Sequence, residues 1–186
     1  IGTLRERYPE MIVVGVEPAL KLAADRFPGG GIGVMATPVT LREEKFCHLL
    51  DRYEGSCRVY QIPAPDLVPL IEAGKADTEE MRRELHRLLD PYADKIDALV
   101  LGCTHYPLLM PKIRKYAPAH ARIIAQGDYV AGSLQEYFRR HPEMEQACSK
   151  QGTVRYLTTE NPDKFRESAQ LFLHEHVEVE TITLGT

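Results

Sequence analysis

Three side chains capable of proton chemistry stand side by side in "LVLGCTHYPLL" (Leu99–Leu109): the thiol of Cys103, the hydroxyl of Thr104 and the imidazole of His105. They follow an apolar run that stops at Gly102. A thiolate is a good base or nucleophile when its surroundings favour the anion. An imidazole exchanges a proton near neutral pH. A hydroxyl with nearby backbone N–H groups can hold a carboxylate or phosphate. Gly102 permits close backbone approach or an unusual turn, and Pro107 suits the first position of a following helix. On that reading Cys103 lies just before a helix N-terminus, whose partial positive charge favours thiolate. The competing reading is packing, because free cysteine is among the most buried residue types and most cysteines are inert.

The other candidates are weaker. Cys47 lies on a helical pattern beside Phe46 and Leu49, Cys57 opens a strand pattern, and Cys148 lies in a polar stretch. The cysteine spacing fits neither a Cys-x-x-Cys zinc site nor a disulfide framework, so reduced thiols in a cytoplasmic chain are expected. His48, His86, His120, His141, His174 and His176 lack metal-ligand spacing, and "HEH" (174–176) reads as a solvated helix end. No phosphate-binding loop, dinucleotide fingerprint, nucleophile elbow or zinc-protease motif occurs.

The elements that must position Cys103 alternate along the chain. Strand patterns fall at 11–17, 31–37, 57–62, 97–103, 121–126, 153–158 and 177–183. The first, second and fourth are nearly continuous in apolar residues and glycine, as in strands buried on both faces of a parallel sheet. Between them, Thr78 opens a helix with a Met81, Leu85, Leu88, Tyr92 stripe, which Pro91 interrupts near its end. Leu109, Ile113 and Tyr116 form a second stripe. Asn161 and Pro162 start a third, with Phe165, Ala169 and Phe172. Strands alternating with helices predict an α/β fold with a parallel sheet. In such sheets ligands bind outside the carboxyl ends of the strands, where Cys103 falls.

The bulk numbers narrow the function. In 186 residues, 44% are hydrophobic and 27% charged, so a sizeable core can be buried. The net charge of -4 and scattered basic residues do not point to nucleic acid or a membrane surface. No apolar run approaches the ~20 residues of a membrane span.

At "LVLGCTHYPLL" the chain resembles the glutamate racemases of the aspartate/glutamate racemase superfamily, whose second catalytic cysteine lies in a GCTHYP motif. "VVGVEPALKLA" (13–23), "IGVMATPVTLREEKF" (32–46) and "APDLVPLIEAG" (64–74) resemble further family segments in the same order. The resemblance runs from about residue 3 to 135. Aspartate racemases also carry a strand-end cysteine, typically followed by an acidic residue where His105 stands.

The resemblance implies a parallel-sheet three-layer α/β domain paired with a second α/β domain. It implies cofactor-independent interconversion of L- and D-glutamate by two cysteines flanking the α-carbon, supplying D-glutamate for peptidoglycan synthesis in the bacterial cytoplasm. Cys103 would be one of the pair, His105 would assist its proton transfer, and Thr104, Thr37 and Thr40 would bind substrate. No cofactor and no metal are implied, and the partners are small-molecule glutamate and, in a homodimer, a second copy.

The departures are specific. The family's Cys-Asn-Thr segment, which holds the first cysteine, does not occur, nor do its Asp-Ser-Gly and Pro-Tyr-Gly segments. "IIAQG" (123–127) stands where Ile-Asp-Ser-Gly is usual, and Ala64 replaces a cysteine. The expected organisation is therefore a remnant helix of the other domain at 1–10, the domain carrying Cys103 at 11–120, and the C-terminal portion of the other domain at 121–186. Sequence upstream of Ile1 is expected, and the chain by itself is expected to be inactive. A related racemase acting on aspartate and a non-catalytic ligand-binding fragment are the competing readings.

Overall fold

The computed structural model describes residues 1–11, 13, 19–53 and 55–185. The strand expected at 11–17 lies outside the described residues apart from Met11 and Val13. Ten α-helices and six strands are described: α1 (Gly2–Arg7), α2 (Leu20–Arg26), β1 (Gly31–Ala36), α3 (Pro38–Arg42), α4 (Glu44–Tyr53), β2 (Arg58–Pro63), α5 (Leu67–Glu72), α6 (Glu79–Leu89), β3 (Ala98–Leu101), α7 (Met110–Tyr116), β4 (Arg122–Ala125), α8 (Gln126–Arg140), α9 (Pro142–Ala147), β5 (Tyr156–Thr158), α10 (Pro162–Leu173) and β6 (Val179–Thr181).

Four strands form one parallel sheet in the order β2-β1-β3-β4. Every residue of β1 and β3 is buried, which is why both read as unbroken apolar runs. Side chains alternate between the two faces. Met35, Ile62, Leu99 and Leu101 pack on one face with Leu67, Leu70 and Ile71 of α5, Met81 and Leu85 of α6 and Ile113 of α7. Ile32, Val34, Ala98 and Val100 pack on the other with Leu20 and Ala23 of α2, Leu41 of α3 and Phe46 and Leu49 of α4. The result is the expected three-layer α/β arrangement, with helices on both faces.

Connectivity places the functional edge. From β1 the chain crosses through α3 and α4 on the second face to β2. It then returns over the first face through α5 and α6 to β3, and through α7 to β4. The direction of winding therefore reverses between β1 and β3. The carboxyl ends of these neighbours open the crevice in which doubly wound sheets bind ligands.

Caps anticipated from sequence form as expected. The Thr78 side chain accepts from the Met81 N–H at 3.3 Å, and Asn161 accepts from the Asp163 N–H at 2.8 Å. The strand at β4 lies past the division expected at residue 120 and is nevertheless the fourth strand of this sheet. It is the edge strand among those described, and Ile124 is the one residue of it that is buried. Beyond it, β5, α10 and β6 form a parallel β-α-β unit, with Tyr156 opposite Val179. Phe172 of α10 packs against the first core cluster.

Candidate active site

Cys103 lies two residues beyond β3. The Gly102 N–H still donates to the Met35 carbonyl at 2.8 Å, so the ladder with β1 persists to the residue before the thiol. A Cβ on Gly102 would stand 2.9 Å from the Ala36 Cβ, closer than side chains tolerate, so this approach of the two strand ends requires glycine. The chain then turns out of the sheet. The Tyr106 N–H donates to the Cys103 carbonyl at 3.3 Å, and residues Tyr106–Leu109 continue as a short 3-10 helix.

Pro107 does not open an α-helix; it sits in the 3-10 turn, and α7 starts at Met110. Pro111 has no N–H to donate to the Pro107 carbonyl four residues back, so α-helical winding starts only at Met110, where Pro111 falls in the first turn. A long helix dipole aimed at Cys103 is therefore not part of the site.

Side chains supply the support instead. The Cys103 Sγ is 3.9 Å from His105 Nδ1, and the Thr104 Oγ1 is 3.5 Å from the same nitrogen. His105 Nε2 is 3.1 Å from Glu72 Oε1, at the end of α5. Thiol, imidazole and carboxylate thus form a chain of three. With the proton on Nε2 donated to Glu72, Nδ1 faces the thiol as an acceptor, an arrangement able to draw on the thiol's proton. Such contacts are often long in ligand-free proteins and tighten around substrate. Cys103 and His105 are half-buried, whereas Thr104 and Glu72 are exposed, so the group lies on an open edge.

Thr37 and Thr40 occupy the adjacent strand end. Thr37 caps α3: its Oγ1 accepts from the Thr40 N–H at 3.3 Å and stands 3.0 Å from Thr40 Oγ1. The register that sets Met35 opposite Leu101 brings Thr37 and Cys103 to the same edge of neighbouring strands. The side chains of Cys103 and Thr104 each contact His105. Among the described residues, no hydrogen bond joins them to the two threonines.

Glu72 was not among the residues singled out from sequence, although a signal was available. The last turn of a helix disfavours an acidic side chain, yet α5 ends on Glu72 behind a buried stripe of Leu67, Leu70 and Ile71. A carboxylate placed against the local preference marks a position chosen for another reason. The remaining cysteines stand apart. Cys57 precedes β2, at the amino end of the sheet, and its partly buried thiol is pushed up from the usual thiol pKa by desolvation. Cys47 and Cys148 are exposed on the periphery. Among the described residues no group of three side chains is arranged to hold a metal ion, and no helix is long and apolar enough to cross a membrane.

The fold and this edge define a doubly wound α/β protein with a thiol–imidazole–carboxylate group at its topological switch point. The chain belongs to the Asp/Glu/hydantoin racemase family, whose model matches residues 1–134. It is 38% identical over 166 residues to a glutamate racemase of Pseudomonas syringae pv. tomato, covering 89% of this chain and 60% of that one. It is 36% identical over 185 residues to a glutamate racemase of Pseudomonas putida, covering 99% of this chain and 69% of that one. The crystal structure of Escherichia coli glutamate racemase, in complex with L-glutamate and the activator UDP-MurNAc-ala, superposes with a TM-score of 0.75 at 25% identity. That match covers 100% of this chain and 70% of the other. The chain thus spans about three fifths of the length of the Pseudomonas syringae relative.

Proposed function

We propose that this chain carries one half of the active site of a cofactor-independent glutamate racemase, with Cys103 as one of two proton-transferring thiols. The observation that carries the reading is the Cys103–His105–Glu72 chain at the carboxyl edge of β3. His105 takes the Cys103 proton at Nδ1 and leaves a thiolate. The thiolate removes the proton α to the substrate carboxylate. The C–H electron pair passes into that carboxylate, and Cys103 becomes a thiol again. A second thiol, on the opposite side of the α-carbon, donates its proton to complete inversion. For the other enantiomer the roles exchange. Thr104, with Thr37 and Thr40 at the neighbouring strand end, offers hydroxyls to the substrate carboxylates.

Relatives 36–38% identical bear the name glutamate racemase, and the imidazole of His105 replaces the acid typical of the aspartate enzymes. Both support glutamate over aspartate. The same reading makes D-glutamate for peptidoglycan the product, the cytoplasm the location and a homodimer the assembly.

The second thiol has no candidate in Cys57, which precedes β2 at the amino end of the sheet, and neither Cys47, exposed on α4, nor Cys148, exposed just past α9, contacts the Cys103 group among the described residues. The 186-residue chain alone is therefore expected to leave L-glutamate uninverted. Fused behind the part of the Pseudomonas putida relative that lies outside the match, it is expected to racemise glutamate, unaffected by chelator and without added pyridoxal phosphate. Chiral chromatography reads both outcomes. Inversion by the chain alone would refute the half-site reading. A folded fusion that inverts aspartate but not glutamate would favour the related racemase, and one that binds glutamate without inverting it would favour a ligand-binding role.

A further inference from the structure

We propose that Tyr106 is a positioning residue for the Cys103–His105–Glu72 chain, its hydroxyl tying the turn that carries the thiol to the strand end from which the carboxylate-bearing helix hangs. The inference rests on the reading of that chain as the proton-transfer group.

Tyr106 is fully buried and heads the largest fully buried side chains of the described residues. A buried phenol requires a partner for its O–H. The Tyr106 hydroxyl donates to the Ala64 carbonyl at 3.1 Å. Ala64 is itself fully buried, and its N–H donates to the Ala36 carbonyl at 3.0 Å, so it is held in line with β1. Three residues later α5 begins, and it ends on Glu72. At its other end Tyr106 is one residue from His105, and its N–H closes the turn on Cys103.

The contacts form a closed circuit. Cys103 meets His105, His105 meets Glu72, α5 leads back to Ala64, Ala64 accepts from Tyr106, and Tyr106 returns to Cys103. Glu72 is largely and His105 partly exposed, and an exposed side-chain contact holds its own geometry poorly. A buried hydrogen bond between the two carrying segments supplies the missing constraint. Burial foremost, and then the negative charge of a Cys103 thiolate, push the phenol above the usual tyrosine pKa, so it remains a donor while the thiol is ionised.

The test is a double-mutant cycle read at Cys103. Iodoacetamide alkylation of Cys103, resolved by peptide mapping from Cys47, Cys57 and Cys148, follows the thiolate. Glu72→Gln removes the charge that supports the imidazolium and is expected to slow alkylation roughly threefold or more. In a Tyr106→Phe background the same change is expected to have less than about a 1.5-fold effect, because the carboxylate is no longer held against His105. Tyr92→Phe, which removes a surface hydroxyl 3.5 Å from the Gln61 carbonyl, is expected to leave the Glu72→Gln effect intact. Equal effects of Glu72→Gln with and without the Tyr106 hydroxyl would overturn the proposal, as would its having no effect in the unaltered chain. Should Tyr106→Phe fail to fold, 3-fluorotyrosine at 106 keeps the donor and is expected to preserve the full coupling; loss of coupling there overturns the proposal equally. Alkylation needs no turnover, so a chain that never racemises glutamate still returns an answer about Tyr106.

Discussion

Replacing Cys103 by alanine in the racemising fusion is expected to lower kcat by a factor on the order of 1,000 or more, with the fold retained. Proton transfer by a positioned side chain contributes roughly 100- to 10,000-fold to such reactions, and among the described residues no second thiol stands beside Cys103. His105 holds its Nδ1 toward Cys103 and Thr104, and its Nε2 is engaged by Glu72. The Thr104 hydroxyl is a far weaker acid than a thiol and does not supply an anion near neutral pH. Serine at 103 is expected to be nearly as inactive, because a hydroxyl remains protonated where a thiol ionises. Structural damage should be small, since Cys103 is only half-buried and sits at the rim of the first core cluster. Cys57→Ala, at the amino end of the sheet, is expected to retain activity. Circular dichroism of the protein and chiral analysis of glutamate separate loss of chemistry from loss of fold. Unchanged turnover in Cys103→Ala would remove the thiol from the reaction.

The largest effect on stability is expected at Gly31. A Cβ there would lie 1.8 Å from the Lys95 carbonyl oxygen and 2.9 Å from the Lys95 carbonyl carbon, both backbone atoms. Neither partner can yield. Gly31 N–H donates to Asp97 Oδ2 at 2.7 Å, and its carbonyl accepts from the Asp97 N–H at 2.7 Å. The residue also starts β1, which is paired on one side with β2 and on the other with β3. Relieving the overlap means pulling the central strand from its neighbours. The cost is expected to exceed about 4 kcal/mol, the range reserved for overpacked or broken cores. Since domains are stable by only ~5–15 kcal/mol, Gly31→Ala is expected to be largely unfolded or insoluble. Gly132→Ala offers the contrast. It lies within α8 with no atom near its missing Cβ. Alanine there is expected to stabilise the helix by about 0.5–1 kcal/mol. Thermal unfolding checks both, and a folded Gly31→Ala protein with an unchanged midpoint would contradict the packing described.

How much of this was legible follows from where information is local. The buried strands β1 and β3 announce themselves because both faces are covered, and their apolar runs need no partner to be read. The caps at Thr78 and Asn161 are equally local, each set by one side chain and an N–H two or three residues on. Cys103, Thr104 and His105 were readable as a group because they are consecutive in the chain. Glu72 was not, because it meets His105 across 33 residues and only the packing of α5 against the 3-10 turn brings them together. Tyr106 looked like part of a motif rather than a tether, since its partner is a backbone carbonyl 42 residues away. That β4, past the residue 120 taken as a division, joins the same sheet was not legible, because an edge strand covers fewer of its side chains and resembles a connection. The helix expected from Pro107 became a 3-10 turn because a second proline, Pro111, interrupts the pattern that Leu109, Ile113 and Tyr116 suggest.

In the proposed reaction Cys103 passes a proton to or from the α-carbon as one of two opposed thiols. The most direct measurement is racemisation by the fusion in deuterium oxide, with mass spectrometry of each enantiomer during the first few per cent of conversion. A two-thiol exchange predicts deuterium at the α-carbon of nearly every newly formed product molecule and almost none in the remaining substrate. One thiol removes protium on one face, while the other delivers a solvent-derived deuteron on the opposite face. Product that keeps its original protium would mean that a single group carries the proton across, and would rule out the two-thiol reaction.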